Sequence, residues 1–167
     1  PKFARLTVVT AAATGVLLVV GAYVRAASAG LSFRDWPLMD GRLVPTLGGA
    51  ATWMFVHRVL AAFVLVLVIW LAIRARTMVN RSKDLVVLST VALLLYAAQI
   101  LVGAANVWTE LSAAAVTAHV TLSAMIWGVL VAIATVSRRF AAHTKAVETD
   151  ARSNGKRGTL RETTATY

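Results

Sequence analysis

Four stretches of almost unbroken apolar residues divide this chain: Leu6–Val24, Met54–Ile73, Leu85–Ala105 and Ala113–Val136. Each has about the 20 residues that a helix needs to cross the hydrocarbon core of a bilayer. The runs are continuous and not alternating, so strands are disfavoured and four helices are predicted. The expected fold class is all-α, an integral membrane four-helix bundle over residues 1–140. Residues 141–167, AAHTKAVETDARSNGKRGTLRETTATY, are polar, mixed in charge and nearly free of large apolar side chains. A disordered cytoplasmic tail or linker is predicted there. The first run has a competing reading as a signal peptide, because Lys2 and Arg5 precede it and Ala27-Ser28-Ala29 resembles a cleavage site. It is long for that role, and Arg25 intervenes before the small residues. A chain that opens on proline is expected to be a fragment or a processed piece.

Composition and charge sharpen this picture. With 59% hydrophobic and only 14% charged residues, and a mean hydropathy of +0.74, the chain falls in the membrane class. The formal net charge of +10 comes from basic residues that flank apolar runs or lie in the tail. They read as topology signals and contacts to anionic lipid, not as a nucleic-acid surface. Arg74, Arg76, Arg81 and Lys83 lie between the second and third runs, Arg138 and Arg139 follow the fourth, and Lys2 and Arg5 precede the first. The third-to-fourth connection, Asn106–Ser112, carries only Glu110. The excess of Lys and Arg on one side predicts a multi-pass protein with both termini cytoplasmic. The outer loop Arg25–Trp53 is longer than a hairpin connection needs, which favours a role beyond joining helices. The absence of cysteine excludes disulfides and thiolate metal sites.

Candidate chemistry rests on two histidines. His57 and His119 each lie near the start of an apolar run, 16 and 17 residues before Ile73 and Val136. At helical rise these distances are about 24 and 26 Å, so the two rings stand at nearly the same height. An imidazole inside a membrane span is costly and usually functional. Two at matching depth, without a neighbouring carboxylate or cysteine, suggest axial ligands to one haem iron between the second and fourth helices. The bland alternative is a pair of interfacial or helix-packing residues. Arg25 and Arg58, near the outer boundary, are candidates to pair with haem propionates, or else snorkel to headgroups. Gly15, Gly21, Gly103, Ala104, Ala105 and Gly128 offer small surfaces, chiefly for helix packing. Gln99, deep in the third run, needs a partner. His143, in the polar tail, reads as a solvated residue.

The sequence GAYVRAASAGLSFRDWPLMDGRLVP, followed by FVHR, QILVGAANV and VTAHV, resembles the amino-terminal half of the haem A synthase family across roughly residues 15–125. The DWP loop combined with both histidines is the specific part. The resemblance implies an eight-helix enzyme of the bacterial cell membrane, made of two four-helix halves with a bis-histidine haem site in each. Such an enzyme oxidises the C8 methyl of haem O to the formyl of haem A for cytochrome oxidase assembly. Two departures stand out. Met54 occupies the position three residues before the first histidine where many members carry a glutamate. Phe33 and Met39 stand where many carry a cysteine pair. With one half present, a two-haem arrangement requires a homodimer or a second four-helix half. GTLRETTATY further resembles the segment preceding the first helix of haem O synthase, the protohaem IX farnesyltransferase, which suggests a fusion. The resemblance leaves open which haem (b, o or a type) is bound and whether catalysis survives. Rival readings are a non-catalytic haem-binding domain attached to haem O synthase, a bis-histidine electron-transfer cytochrome with a quinone partner, and a scaffold without cofactor.

Overall fold

A computed structural model describes residues 2–78 and 82–164, with side chains described up to 142 and at 146. The expected loop cation Arg81 and the last three residues of the expected tail lie outside the described residues. Four helices account for nearly all of the rest: α1 (Lys2–Ala26), α2 (Gly49–Thr77), α3 (Lys83–Trp108) and α4 (Ala113–Thr164). Each contains a segment long and apolar enough to cross a membrane, that of α4 being Ala113–Ala142. The chain is a multi-pass membrane protein, and the all-α fold class read from the sequence holds.

The helix ends have local causes. α1 stops where Ser28 turns left-handed (φ 53°) into a short 3₁₀ turn, Ala29–Leu31. α2 begins at Gly49, whose φ of +51° suits a residue without a Cβ. α3 runs three residues past its expected end, so Asn106 is helical and not part of the connection. The turn comes only at Glu110 and Leu111, both left-handed, where the Leu111 N–H reaches back to the Asn106 carbonyl at 2.8 Å. Ser112 then caps α4 by accepting the Ala115 N–H at 3.3 Å.

The tail predicted as disordered or a linker has helical backbone as far as Thr164, continuous with α4. Low hydrophobicity argues against packing, not against helix. The segment has no proline and is supplied with Ala, Arg, Lys and Glu, all good helix formers.

α1 packs on α2 and α4, and α3 packs on the same two, so α2 and α4 face each other across the diagonal of the bundle. Interior residues recur at helical spacing: Val64, Val68, Leu71 and Ala75 on α2, Leu85, Ser89, Ala92 and Tyr96 on α3, and Ile126, Leu130 and Ile133 on α4. α1 contributes small residues, Thr7, Thr10, Ala11 and Thr14, which allow close approach. Thr10 and Thr14 satisfy their hydroxyls on the carbonyl four residues back, both at 2.8 Å. Thr7 and Ser137 join α1 to α4 through a buried hydroxyl pair at 2.9 Å. The Trp127 indole donates to the Ala11 carbonyl, and the Tyr96 hydroxyl to that of Ala61.

This core occupies only one half of the bundle. Among the described residues, α2 has no buried side chain before Val64 and α4 none before Ile126. The tightly packed half is the one nearer the amino terminus of α1; both histidines lie in the other.

Candidate functional site

His57 and His119 continue the interior stripes of their helices. His57 lies seven residues before Val64, and His119 seven before Ile126, so each ring shares a face with the packed core two turns away. Both rings lie at the same end of the bundle, each against a glycine of the helix that precedes its own. The structure thus brings the two sequence-predicted ligands together, on diagonally opposed helices.

Each ring is seated in the same way. A Cβ built on Gly21 of α1 would stand 3.2 Å from His57 Cε1 and 3.5 Å from its Nδ1. A Cβ on Gly103 of α3 would stand 3.4 Å from His119 Cε1 and 3.8 Å from its Nδ1. In both rings Nδ1 is sealed off without a hydrogen-bond partner, whereas Nε2 is not among the buried unpartnered atoms and forms no hydrogen bond. The edge against glycine is closed, and the Nε2 edge is left open. α1–α2 and α3–α4 therefore repeat one motif, a hairpin whose second helix presents a histidine to a glycine of the first.

The two hairpins differ in polarity around the glycine. On α3, Gln99 and Asn106 flank Gly103 on the same face, and the Oε1 of one and Oδ1 of the other are buried without partners. The Gln99 Nε2 donates to the His119 carbonyl at 3.1 Å. The corresponding α1 positions, four before and three after Gly21, are Leu17 and Val24. Sequence reasoning missed Asn106 by assigning it to a loop. Its spacing from Gln99 and Gly103, seven and three residues, was the available signal.

The outer loop closes over this end. Asp35 accepts the backbone N–H of Asp40 on one carboxylate oxygen and of Gly41 on the other, both at 2.8 Å. Those two N–H groups hold its carboxyl below the ordinary value, that of Gly41 most. Asp40 and Gly41, with φ of 55° and 71°, form the tight turn of a small hairpin in which Met39 and Arg42 pair. Phe33 and Met39 are buried as apolar anchors. Trp36 meets Trp108 edge to face with ring centroids 6.0 Å apart, and Leu111 lies against Gly30.

The arginines part company. Arg58 donates from Nη1 to the Leu38 carbonyl at 2.8 Å, and from Nη1 and Nη2 to the Asp35 carbonyl at 3.3 and 3.2 Å. Its guanidinium also lies 5.6 Å from the centre of the Phe33 ring. It is a loop anchor. Arg25 is exposed in the last turn of α1. Met54 is half-buried one turn before His57. The side chain of His143 lies outside the described residues.

These features suit a planar iron porphyrin. Two neutral imidazoles can present Nε2 from diagonal helices, the glycines keep the far ring edges closely packed, and cationic side chains stand at the outer boundary. A groove of about 730 Å³ lies elsewhere, between α3 and α4, along Val102, Thr117, Ala118, Thr121 and Met125, and includes neither histidine.

Comparison with known proteins gives the same direction. The family described as Cytochrome oxidase assembly protein (COX15-CtaA) matches residues 4–51, which are α1 and the outer loop. The chain is 38% identical over 117 residues to Heme A synthase of Symbiobacterium thermophilum, covering 70% of this chain and 38% of that protein. It is 34% identical over 131 residues to Heme A synthase of Caulobacter vibrioides, covering 70% of this chain and 36% of that one. Heme A synthase of Wolbachia pipientis is 28% identical over 125 residues. The chain spans a little over a third of the length of the first two relatives. With its DWP loop, its two spanning histidines and these relatives, the chain belongs to the haem A synthase family.

Proposed function

We propose that this chain is a four-helix haem-binding unit serving haem A biosynthesis, in which His57 and His119 would hold one iron. The observation that carries the reading is the paired seating of the two rings: Nδ1 closed against a glycine, Nε2 open, on diagonal helices that bury no side chain in this half of the bundle. Arg25 supplies a cation for the propionates, and Arg58 adds charge while holding the outer loop over the site. The loop, fastened by Asp35 and Arg58, limits access of water to that end. The bound haem supplies the redox-active iron or, as haem O, the methyl group that becomes the formyl of haem A.

Within this reading the chain's own residues favour binding over chemistry. Proton handling at a reacting methyl group calls for a positioned acid or base. Met54, one turn before His57, supplies neither. Full oxidation of haem O then draws on a second four-helix half or a second copy, and haem O synthase is the partner that would supply the haem O. The membrane orientation proposed is that of the positive-inside rule, with both termini cytoplasmic.

The test is spectroscopic. Purified chain loaded with haem should give a low-spin bis-histidine spectrum, with the haem type read from its pyridine haemochrome. His57→Ala and His119→Ala should each abolish that spectrum, and His143→Ala should leave it unchanged. An unchanged low-spin spectrum in either of the first two would refute the ligand assignment.

A further inference from the structure

We infer that Gly21 and Gly103 are positioning residues for the histidines, each holding one imidazole in orientation by steric contact; this rests on the ligand reading above. A histidine bound to a metal usually has its second nitrogen fixed by a hydrogen bond to a carboxylate, a carbonyl or water. Here neither Nδ1 has such a partner. What meets the Cε1–Nδ1 edge of each ring is the bare Cα face of a glycine on the preceding helix. Packing therefore sets the ring angle.

The two contacts are not equally tight, and this makes the inference quantitative. At 3.2 Å from His57 Cε1, an added methyl on Gly21 would force the ring or helix to shift by a few tenths of an ångström. At 3.4 Å from His119 Cε1, the same methyl on Gly103 would be at the edge of ordinary contact. A Cβ on Gly128 of α4 would meet nothing within 4 Å. Alanine is the better helix former at all three positions, so Gly128→Ala reports that gain alone. The two seating glycines should fall short of it, Gly21 by more.

A double-mutant cycle separates ring seating from ordinary helix packing. Gly21→Ala and Gly21→Leu are made in the full chain and again in a His57→Ala background, with Gly103 treated likewise against His119→Ala. Thermal unfolding in detergent is the first readout. The expected result is a lower midpoint for Gly21→Leu that largely recovers when His57 is alanine, and a smaller effect of the same kind at Gly103. Folding of the double variant where Gly21→Leu alone fails to fold counts as the same result. An equal penalty in both backgrounds would show that the glycines serve only helix contact.

The second readout is the electron paramagnetic resonance of haem-loaded chain, which senses the relative orientation of two axial imidazoles. Gly21→Ala should change the low-spin signal more than Gly103→Ala, and Gly128→Ala should leave it alone. A Gly21→Ala signal identical to that of the unmodified chain would overturn the inference. If the unmodified chain binds no haem, the ligand reading fails, while the unfolding cycle still decides whether the glycines seat the rings.

Discussion

Arg58 shows how much a single side chain can settle at this end of the molecule. Its neighbour His57 faces inward, whereas the guanidinium turns to the carbonyls of Asp35 and Leu38 and to the Phe33 ring. Two forked nitrogens satisfy adjacent loop carbonyls, a geometry that an ammonium cannot copy. Arg58→Lys should therefore fail to restore what Arg58→Ala loses: protection of the outer loop from limited proteolysis. Asp35 provides the matching anion. Because its folded carboxyl lies below the ordinary range, its contribution is complete above the unfolded value and is lost as pH falls through the lowered folded value. Exchange protection of the Asp40 and Gly41 amides should hold from neutral pH down to about pH 4 and weaken only below it. Asp35→Asn should remove that acid step. A loss of protection near pH 6 in the unmodified chain would point to another group.

At the scale of elements, the sequence made the spans legible and left their ends and contacts obscure. Twenty apolar residues identify a crossing helix, but Gly49–Trp53 and Asn106–Trp108 are small or polar enough to resemble loop, and their helical state depends on the turns beyond them. The helical backbone of the tail was obscure for a related reason, since hydropathy reports packing whereas helix formation follows local propensity. The histidines were legible because each is an ionisable residue near the start of an apolar run. Their seating was not, because the contact of Gly21 with His57 depends on the register between two helices. The loop contacts of Arg58 were hidden in the same way: a cation at a span boundary gives no hint that two loop carbonyls lie within its reach. The bond from Tyr96 to the Ala61 carbonyl ties α3 to α2 just inside the histidines. Tyr96→Phe keeps the ring and deletes that bond, so it should cost about 1 kcal/mol in unfolding measured in detergent. A variant as stable as the parent would show that the bond adds nothing net.

For the whole molecule, orientation and site number decide what the chain does. The basic residues after α2 and at the spanning end of α4 predict that single cysteines at Asp40 and Ser153 label from opposite sides of the membrane, the first from outside. The cysteine-free background makes this clean, and labelling of both from one side would overturn the orientation. One such molecule brings one pair of spanning histidines, His57 and His119, onto facing helices. Were His57 and His119 both to hold an iron, they would leave it no position for oxygen, so oxidising a methyl to an aldehyde would need one of them to let go or a second electron-accepting site. It also needs a group to handle protons, and Met54 is no such group. This chain, expressed alone, should bind haem and convert haem O to haem A poorly or not at all. Met54→Glu should raise conversion only where a second copy or second half is present. The measurement is haem A content in a host that lacks its own haem A synthase and is supplied with a haem O synthase. Robust haem A accumulation from this chain alone would show that the two histidines and their surroundings suffice for the oxidation, and the binding-unit reading would then be wrong.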